Sequence, residues 1–151
     1  MPSIRKARLK DLPAIARLER EIFGAEGHSL AVARQLFDLC PSLTLVAEGG
    51  AEAREIVGYA IGGLSQSKDT GWILVVACHP AYRGQGLGRR LSEKVIAGFR
   101  KLEVSEVFLT VFPGNVPARS LYAKLGFSEI RTIKNYFFDG SERVLMSRRI
   151  S

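Results

Sequence analysis

Only two cysteines, two histidines and one tryptophan occur among the 151 residues. Cys40 and Cys78 are too few to build the disulfide framework of a small secreted domain and read as reduced, buried thiols. No uncharged apolar stretch approaches the roughly 18 residues of a membrane span. The longest, Leu43–Ala47 and Trp72–Cys78, are strand-sized. The opening Met1-Pro2-Ser3-Ile4-Arg5-Lys6 is basic but leads into no apolar export segment, so the expected location is the cytoplasm. Internal repeats, low-complexity tracts and dividing linkers are missing, so residues 1–151 read as one domain. No run of five or six like charges occurs, which argues against a nucleic-acid tail. Two histidines and two distant cysteines offer no recognisable ligand spacing, so no metal is expected.

What is present is an ordinary globular composition: 46% hydrophobic, 25% charged and 9% aromatic. Twenty-two Lys and Arg against fifteen Asp and Glu leave +7, which favours an anionic partner. Ile4–Ala7 suggests a first strand. Asp11 and Pro13 then open a helix with Leu12, Ile15, Leu18 and Ile22 at helical spacing. Leu30, Ala33, Leu36 and Phe37 suggest a second helix stopped before Pro41. Leu43–Glu48 and Ile56–Leu64 read as a hairpin around Gly49-Gly50, and Trp72–Cys78 as a central strand. A helix to about Leu102, a strand Val107–Phe112, a helix Pro117–Leu125 ended by Gly126, and a closing hairpin (Phe127–Phe138, Arg143–Arg149) complete the chain. The sum is an α/β domain with a strand–glycine loop–helix unit at its centre.

That unit carries most of the information. Gly84, Gly86 and Gly88 let the backbone approach a ligand without Cβ hindrance. The loop amides converge with the free N–H groups of the next helix, and Arg83, Arg89 and Arg90 add positive charge, making an anion site suited to a pyrophosphate. A Walker A loop requires Lys-Ser or Lys-Thr after its last glycine, where this chain has Arg89-Arg90. A dinucleotide fingerprint requires G-x-G-x-x-G and an acid at the end of the next strand. Here the glycines read G-x-G-x-G, and Glu103 and Glu106 precede that strand.

Arg83-Gly84-Gln85-Gly86-Leu87-Gly88 instead resembles Q/R-x-x-G-x-G/A, the acyl-CoA loop of the GCN5-related N-acetyltransferase (GNAT) superfamily. Val76-Ala77-Cys78-His79-Pro80-Ala81-Tyr82 resembles the strand entering that loop. The segment Asn115 to Phe127 resembles a second signature, N-x-x-A-x-x-L-Y-x-x-L-G-F. Ile4–Ala7 and Asp11-Leu12-Pro13 are similar to the family's first strand and helix. The resemblance covers nearly the whole chain, and the ending Asn135–Phe138 through Met146 is most similar to the ribosomal-protein alanine N-acetyltransferase subgroup. It implies a mixed sheet of about six to seven strands flanked by about four helices.

The resemblance also implies roles. Val76, Ala77 and Cys78 would pair with a pantetheine arm as an added strand, with a bulge or splay aiming an N–H at the thioester carbonyl. Arg83, Gly84, Gln85, Gly86, Leu87, Gly88 and Arg89 would hold the pyrophosphate, and Asn115 would contact the co-substrate from the next loop. Coenzyme A carries about four phosphate charges, which suits a cationic chain. Tyr122 would protonate the departing thiolate, although its place beside Ala118, Leu121 and Leu125 equally suits a core aromatic. The subgroup's basic glutamate is replaced by Thr110, whose alcohol cannot act as a base near neutral pH. Glu48 and His79 are weaker candidates for that task. Cys78 reads as a core thiol rather than a nucleophile, since adjacent His79 would point to the other strand face. Tyr136 faces either the acceptor or the core, and residues 23–39 with the closing hairpin are expected to choose the acceptor. The expected activity is transfer from acetyl-CoA to a primary amine in a ternary complex, ahead of all a protein N-terminus. A small amine or polyamine, or a non-catalytic acyl-CoA-binding module, are the alternatives. Neither membrane nor nucleic acid is an expected partner, and a homodimer is left open.

Overall fold

The computed structural model describes residues 1–52 and 54–151. Its strands are β1 (Ser3–Lys6), β2 (Thr44–Gly49), β3 (Glu55–Leu64), β4 (Thr70–Cys78), β5 (Glu106–Val111), β6 (Ser128–Ile133) and β7 (Arg143–Arg149). Helices α1 (Leu12–Phe23) and α2 (Leu30–Leu39) follow β1, α3 (Leu87–Lys101) follows β4, and α4 (Val116–Lys124) follows β5. One seven-stranded sheet runs in the order β1-β2-β3-β4-β5-β7-β6. Every neighbouring pair is antiparallel except β4 and β5.

The central strands are buried on both faces, which explains why they read as continuous rather than alternating apolar runs. Val46, Tyr59, Ile61 and Ala77 pack with Leu12, Ile15 and Leu18 of α1. Leu45, Ala47, Ala60 and Ile73 pack on the opposite face with Leu87, Leu91, Val95, Ile96 and Phe99 of α3. Local signals set the ends: Ser29 Oγ accepts the Val32 N–H at 3.3 Å to start α2. Gly126, at φ 89°, ends α4, with the Phe127 N–H donating to the Tyr122 carbonyl at 2.9 Å.

Two features of β4 position everything that follows. β4 and β5 pair only at Thr70↔Glu106, Gly71↔Val107 and Trp72↔Phe108, after which they part. Immediately beyond, the register with β3 passes from Gly62↔Ile73 to Ile61↔Val75, so Leu74 is an extra, bulged residue. The helix α3 presses closest at the same place. A Cβ on Gly71 would lie 2.7 Å from Phe99 Cδ1, and one on Gly62 2.9 Å from Phe99 Cζ.

The sheet and helices match the α/β expectation, with one correction in the closing hairpin. Its first strand ends at Ile133 rather than Phe138. Asn135 (φ 50°) and Phe138 (φ 62°) take left-handed backbone. Asn135 Oδ1 accepts the Gly140 N–H at 2.7 Å, and Asp139 Oδ1 accepts the Ser141 N–H at 2.9 Å. Asn and Asp side chains satisfying nearby amides replace the ladder with a loop.

Because Phe99 is fully buried, its ring has no room to yield to a methyl group. Gly71→Ala is expected to cost about 1–3 kcal/mol, or about 2–4 °C of melting temperature per kcal/mol. Thermal unfolding of the variant checks this, and an unchanged midpoint would show that the contact is slack.

Candidate functional site

The parting of β4 from β5 opens a cavity of about 520 Å³. One wall is Ile73–Val76 of β4 and the other Leu109–Val111 of β5 with Phe112. Toward α1 and α2 it is closed by Glu19, Phe23, Glu26, Gly27 and His28. Asn115, Ala118 and Tyr122 close it beside α4, and Phe137, Asp139 and Arg143 line it from the closing hairpin. An opening of this kind exposes strand backbone that has no partner strand, and extended polar ligands can complete it.

From Val76, β4 runs through Ala77 and Cys78 to the glycine loop. Gly84 (φ 74°) and Gly86 (φ 81°) are left-handed, and a Cβ on either would meet nothing within 4 Å among the described residues. The first helical bond of α3 runs from the Arg90 N–H to the Gly86 carbonyl at 3.1 Å. The Leu87, Gly88 and Arg89 amides are therefore the free donors of the helix end. The Leu87 side chain is buried in the core, so only its backbone is available. The Arg83 Nε donates to the Cys78 carbonyl at 3.3 Å and Gln85 Nε2 to the Ala81 carbonyl at 3.3 Å. Arg89 pairs with Glu93 one turn on at 3.1 Å. Tyr82 moors the loop, its hydroxyl accepting the Gly50 N–H at 2.8 Å. None of these loop residues lines the cavity itself; β4 joins the two places.

Tyr122 is buried yet reaches the cavity wall. Burial pushes its hydroxyl up to about 12, with the neighbouring Ser92 hydroxyl acting against the rise and the nearby Cys78 thiol reinforcing it. Ser92 in turn donates to the Gly88 carbonyl at 2.8 Å. The phenol thus stays protonated at neutral pH; it packs as a core aromatic and also reaches the cavity. Asn115 also lines the cavity, but its Oδ1 caps α4, accepting the Ala118 N–H at 3.2 Å.

Burial also raises the Cys78 thiol above its ordinary value, with the Arg83 charge opposing. Its neighbour His79 is occupied, Nδ1 accepting the Ala81 N–H at 3.1 Å. That is the setting of a packed thiol rather than an activated nucleophile. Glu48 is tied to Arg5 at the β1–β2 edge, and neither it nor His79 lines the cavity. Both base candidates therefore stand apart from the site. Tyr136 also lies outside the lining, and its neighbour Phe137 takes that place.

Two groups carried no motif. Arg143 donates to Thr110 Oγ1 at 3.1 Å and to the Thr110 carbonyl at 2.9 Å, with its guanidinium 4.2 Å from the Phe112 ring centroid. Glu19 is only 1% exposed, and its carboxylate accepts from the His28 backbone N–H and meets His28 Nδ1 at 2.8 Å. A signal for Glu19 did exist: Leu12, Ile15, Glu19 and Ile22 share the 3.6-residue period, which puts a carboxylate in the buried stripe. Among the described residues, no three His, Cys, Asp or Glu side chains assemble into a metal-holding group.

A family model described as "Acetyltransferase (GNAT) family" matches residues 12–127. An N-alpha-acetyltransferase of Sulfurisphaera tokodaii is 32% identical over 104 residues, 62% of this chain and 62% of that one. The ribosomal protein bS18-alanine N-acetyltransferase of Escherichia coli is 37% identical over 86 residues, 55% of this chain and 58% of its own length. The chain thus spans less than two thirds of either relative. The crystal structure of Ard1 from Thermoplasma volcanium superposes with a TM-score of 0.88 at 25% identity, covering 99% of this chain and 98% of that one.

Proposed function

The chain belongs to the GNAT acetyltransferase family, and from that premise we propose that it moves an acetyl group from acetyl-CoA to the α-amine of a protein or peptide N-terminus. The observation that carries this reading is the continuous path from the parted strands to an open glycine loop at a helix N-terminus. An extended thiol-bearing arm ending in a pyrophosphate fits that path. The whole chain, 1–151, acts as one catalytic domain.

Transfer proceeds by direct attack in a ternary complex. The Leu87, Gly88 and Arg89 amides, with Arg83 and Arg89 swung out to it, bind the pyrophosphate, while Gly84, Gln85 and Gly86 shape the turn. Val76, Ala77 and Cys78 offer backbone to the pantetheine, and Asn115 meets it from the α4 side. The amine nitrogen forms a bond to the thioester carbon, the carbon–sulfur bond breaks, and Tyr122 gives its proton to the departing sulfur. A phenol near 12 is far from ionising at pH 7 and so is always loaded for that step. The net charge of +7 favours the polyanionic donor.

A peptide acceptor is supported by the cavity's rim, where Phe23, Phe112 and Phe137 are 43%, 43% and 56% exposed. Aromatic surface of this extent suits the side chains that follow an N-terminal amine. The names of the two relatives point the same way. Two free cysteines suit a reducing cytosol.

Thiol release from acetyl-CoA, measured with a panel of acceptors, tests the reading. Turnover is expected with peptides bearing a free N-terminus and not with N-blocked, lysine-containing versions. Turnover confined to lysine or small amines would overturn the acceptor, and none at all the activity. Tyr122→Phe is expected to lower kcat about 10²-fold without a comparable change in the KM for acetyl-CoA; unchanged turnover would remove the tyrosine from the mechanism.

A further inference from the structure

A GNAT amine acceptor arrives mostly as an ammonium ion and must lose a proton before its nitrogen can attack. The position that the resemblance gives to a carboxylate holds Thr110, and its hydroxyl and carbonyl are both occupied by Arg143. The β5 wall therefore supplies a cation and an alcohol, and no base. The opposite wall supplies a different pair. Glu19 on α1 is 1% exposed and His28 stands at the start of α2; both line the same cavity as Thr110 and Tyr122. A buried carboxylate is tolerated only when its oxygens are satisfied. Here the His28 backbone N–H and ring Nδ1 satisfy them, the latter at 2.8 Å. With Nδ1 engaged, Nε2 is the ring's free nitrogen, without a hydrogen-bond partner among the described residues. The His28 side chain is 39% exposed, so a substrate can reach it.

We propose that His28, held and oriented by Glu19, is the base that takes a proton from the acceptor ammonium. The proposal rests on the acetyltransferase reading. The ammonium gives one proton to His28 Nε2, and the freed lone pair forms the carbon–nitrogen bond. As the adduct collapses the carbon–sulfur bond breaks, Tyr122 protonates the sulfur, and the nitrogen's second proton reloads Tyr122. His28 returns its proton to solvent, so one proton is released per turnover. His28 touches the substrate and is catalytic in this scheme; Glu19 is a positioning residue.

Glu19, the group in contact with His28, sets the direction of titration. Hydrogen bonding to Glu19 raises His28 above the ordinary imidazole value, against desolvation that lowers it, with the Glu19 charge adding to the rise. The Tyr59 hydroxyl of β3 lies buried beside Glu19, and Glu26 lines the cavity from His28's own loop. Across the cavity stand Arg143, Asp139 and Tyr122. Since the raised group is a base only above its pKa, activity rises with pH through that value.

With only two histidines in the chain, ring NMR of the full-length protein follows His28 directly, His28→Gln giving the assignment. The same peptide acceptor is then used for pH–rate profiles of wild type, Glu19→Gln and His28→Gln. The wild-type His28 midpoint is expected above about 6.5, and Glu19→Gln is expected to lower it together with the acid limb of kcat. His28→Gln is expected to lose about 10²-fold in kcat and that limb, with the KM for acetyl-CoA unchanged. An active wild type whose limb survives in His28→Gln, or stays put in Glu19→Gln while the melting temperature falls, overturns the base and leaves a structural clamp. A wild type that transfers to no amine overturns this proposal together with the function on which it rests.

Discussion

The parting of two parallel strands is the constraint on which the rest of this molecule depends. β4 and β5 share three residue pairs and then diverge. A parallel pair left open in a sheet interior would strand backbone donors and acceptors, so it persists only where surrounding packing dictates it. That packing is visible. Phe99 sits on Gly71 and Gly62, where a Cβ would press into its ring. Trp72 and Phe108 stack 5.3 Å apart at the last paired position. Leu74 bulges immediately beyond. Together these pin the strands at the point of the wedge and let them separate above it.

Electrostatics divide the site into two ends. At the glycine loop stand the free amides of the α3 N-terminus, with Arg83 and Arg89 beside them on protein partners. Within the cavity two of the charges are held in place: Arg143 is anchored to Thr110 between aromatic rings, and Glu19 is sealed against His28. Tyr122 lies between these ends, near Ser92 of α3, whose hydroxyl donates to the Gly88 carbonyl.

Much of this was legible in the residues. The glycine spacing between a strand and a helix, and the Asn115–Phe127 segment, located the loop, α3 and α4, because those signals are local in sequence. The wedge was legible only through family resemblance, since neither bulge nor register leaves a mark in an apolar run. Arg143 and Thr110 lie 33 residues apart and meet only because β7 pairs with β5. Glu19 was hidden by the rule that a helical carboxylate is solvated, although its place in the Leu12–Ile15–Ile22 stripe contradicts that rule. The closing hairpin was overextended because Tyr136, Phe137 and Phe138 have strand-like side chains, whereas Asn135 and Asp139 decide the backbone.

Backbone amide NMR during a titration with acetyl-CoA tests most directly whether the parted strands receive the donor. The account expects perturbations in β4 from Ile73 to Cys78, in Gly84–Arg90 and in Asn115–Tyr122, with β1, β2 and β6 undisturbed. Saturating acetyl-CoA that leaves β4 unperturbed, or that shifts only residues outside the wedge and the loop, would contradict it.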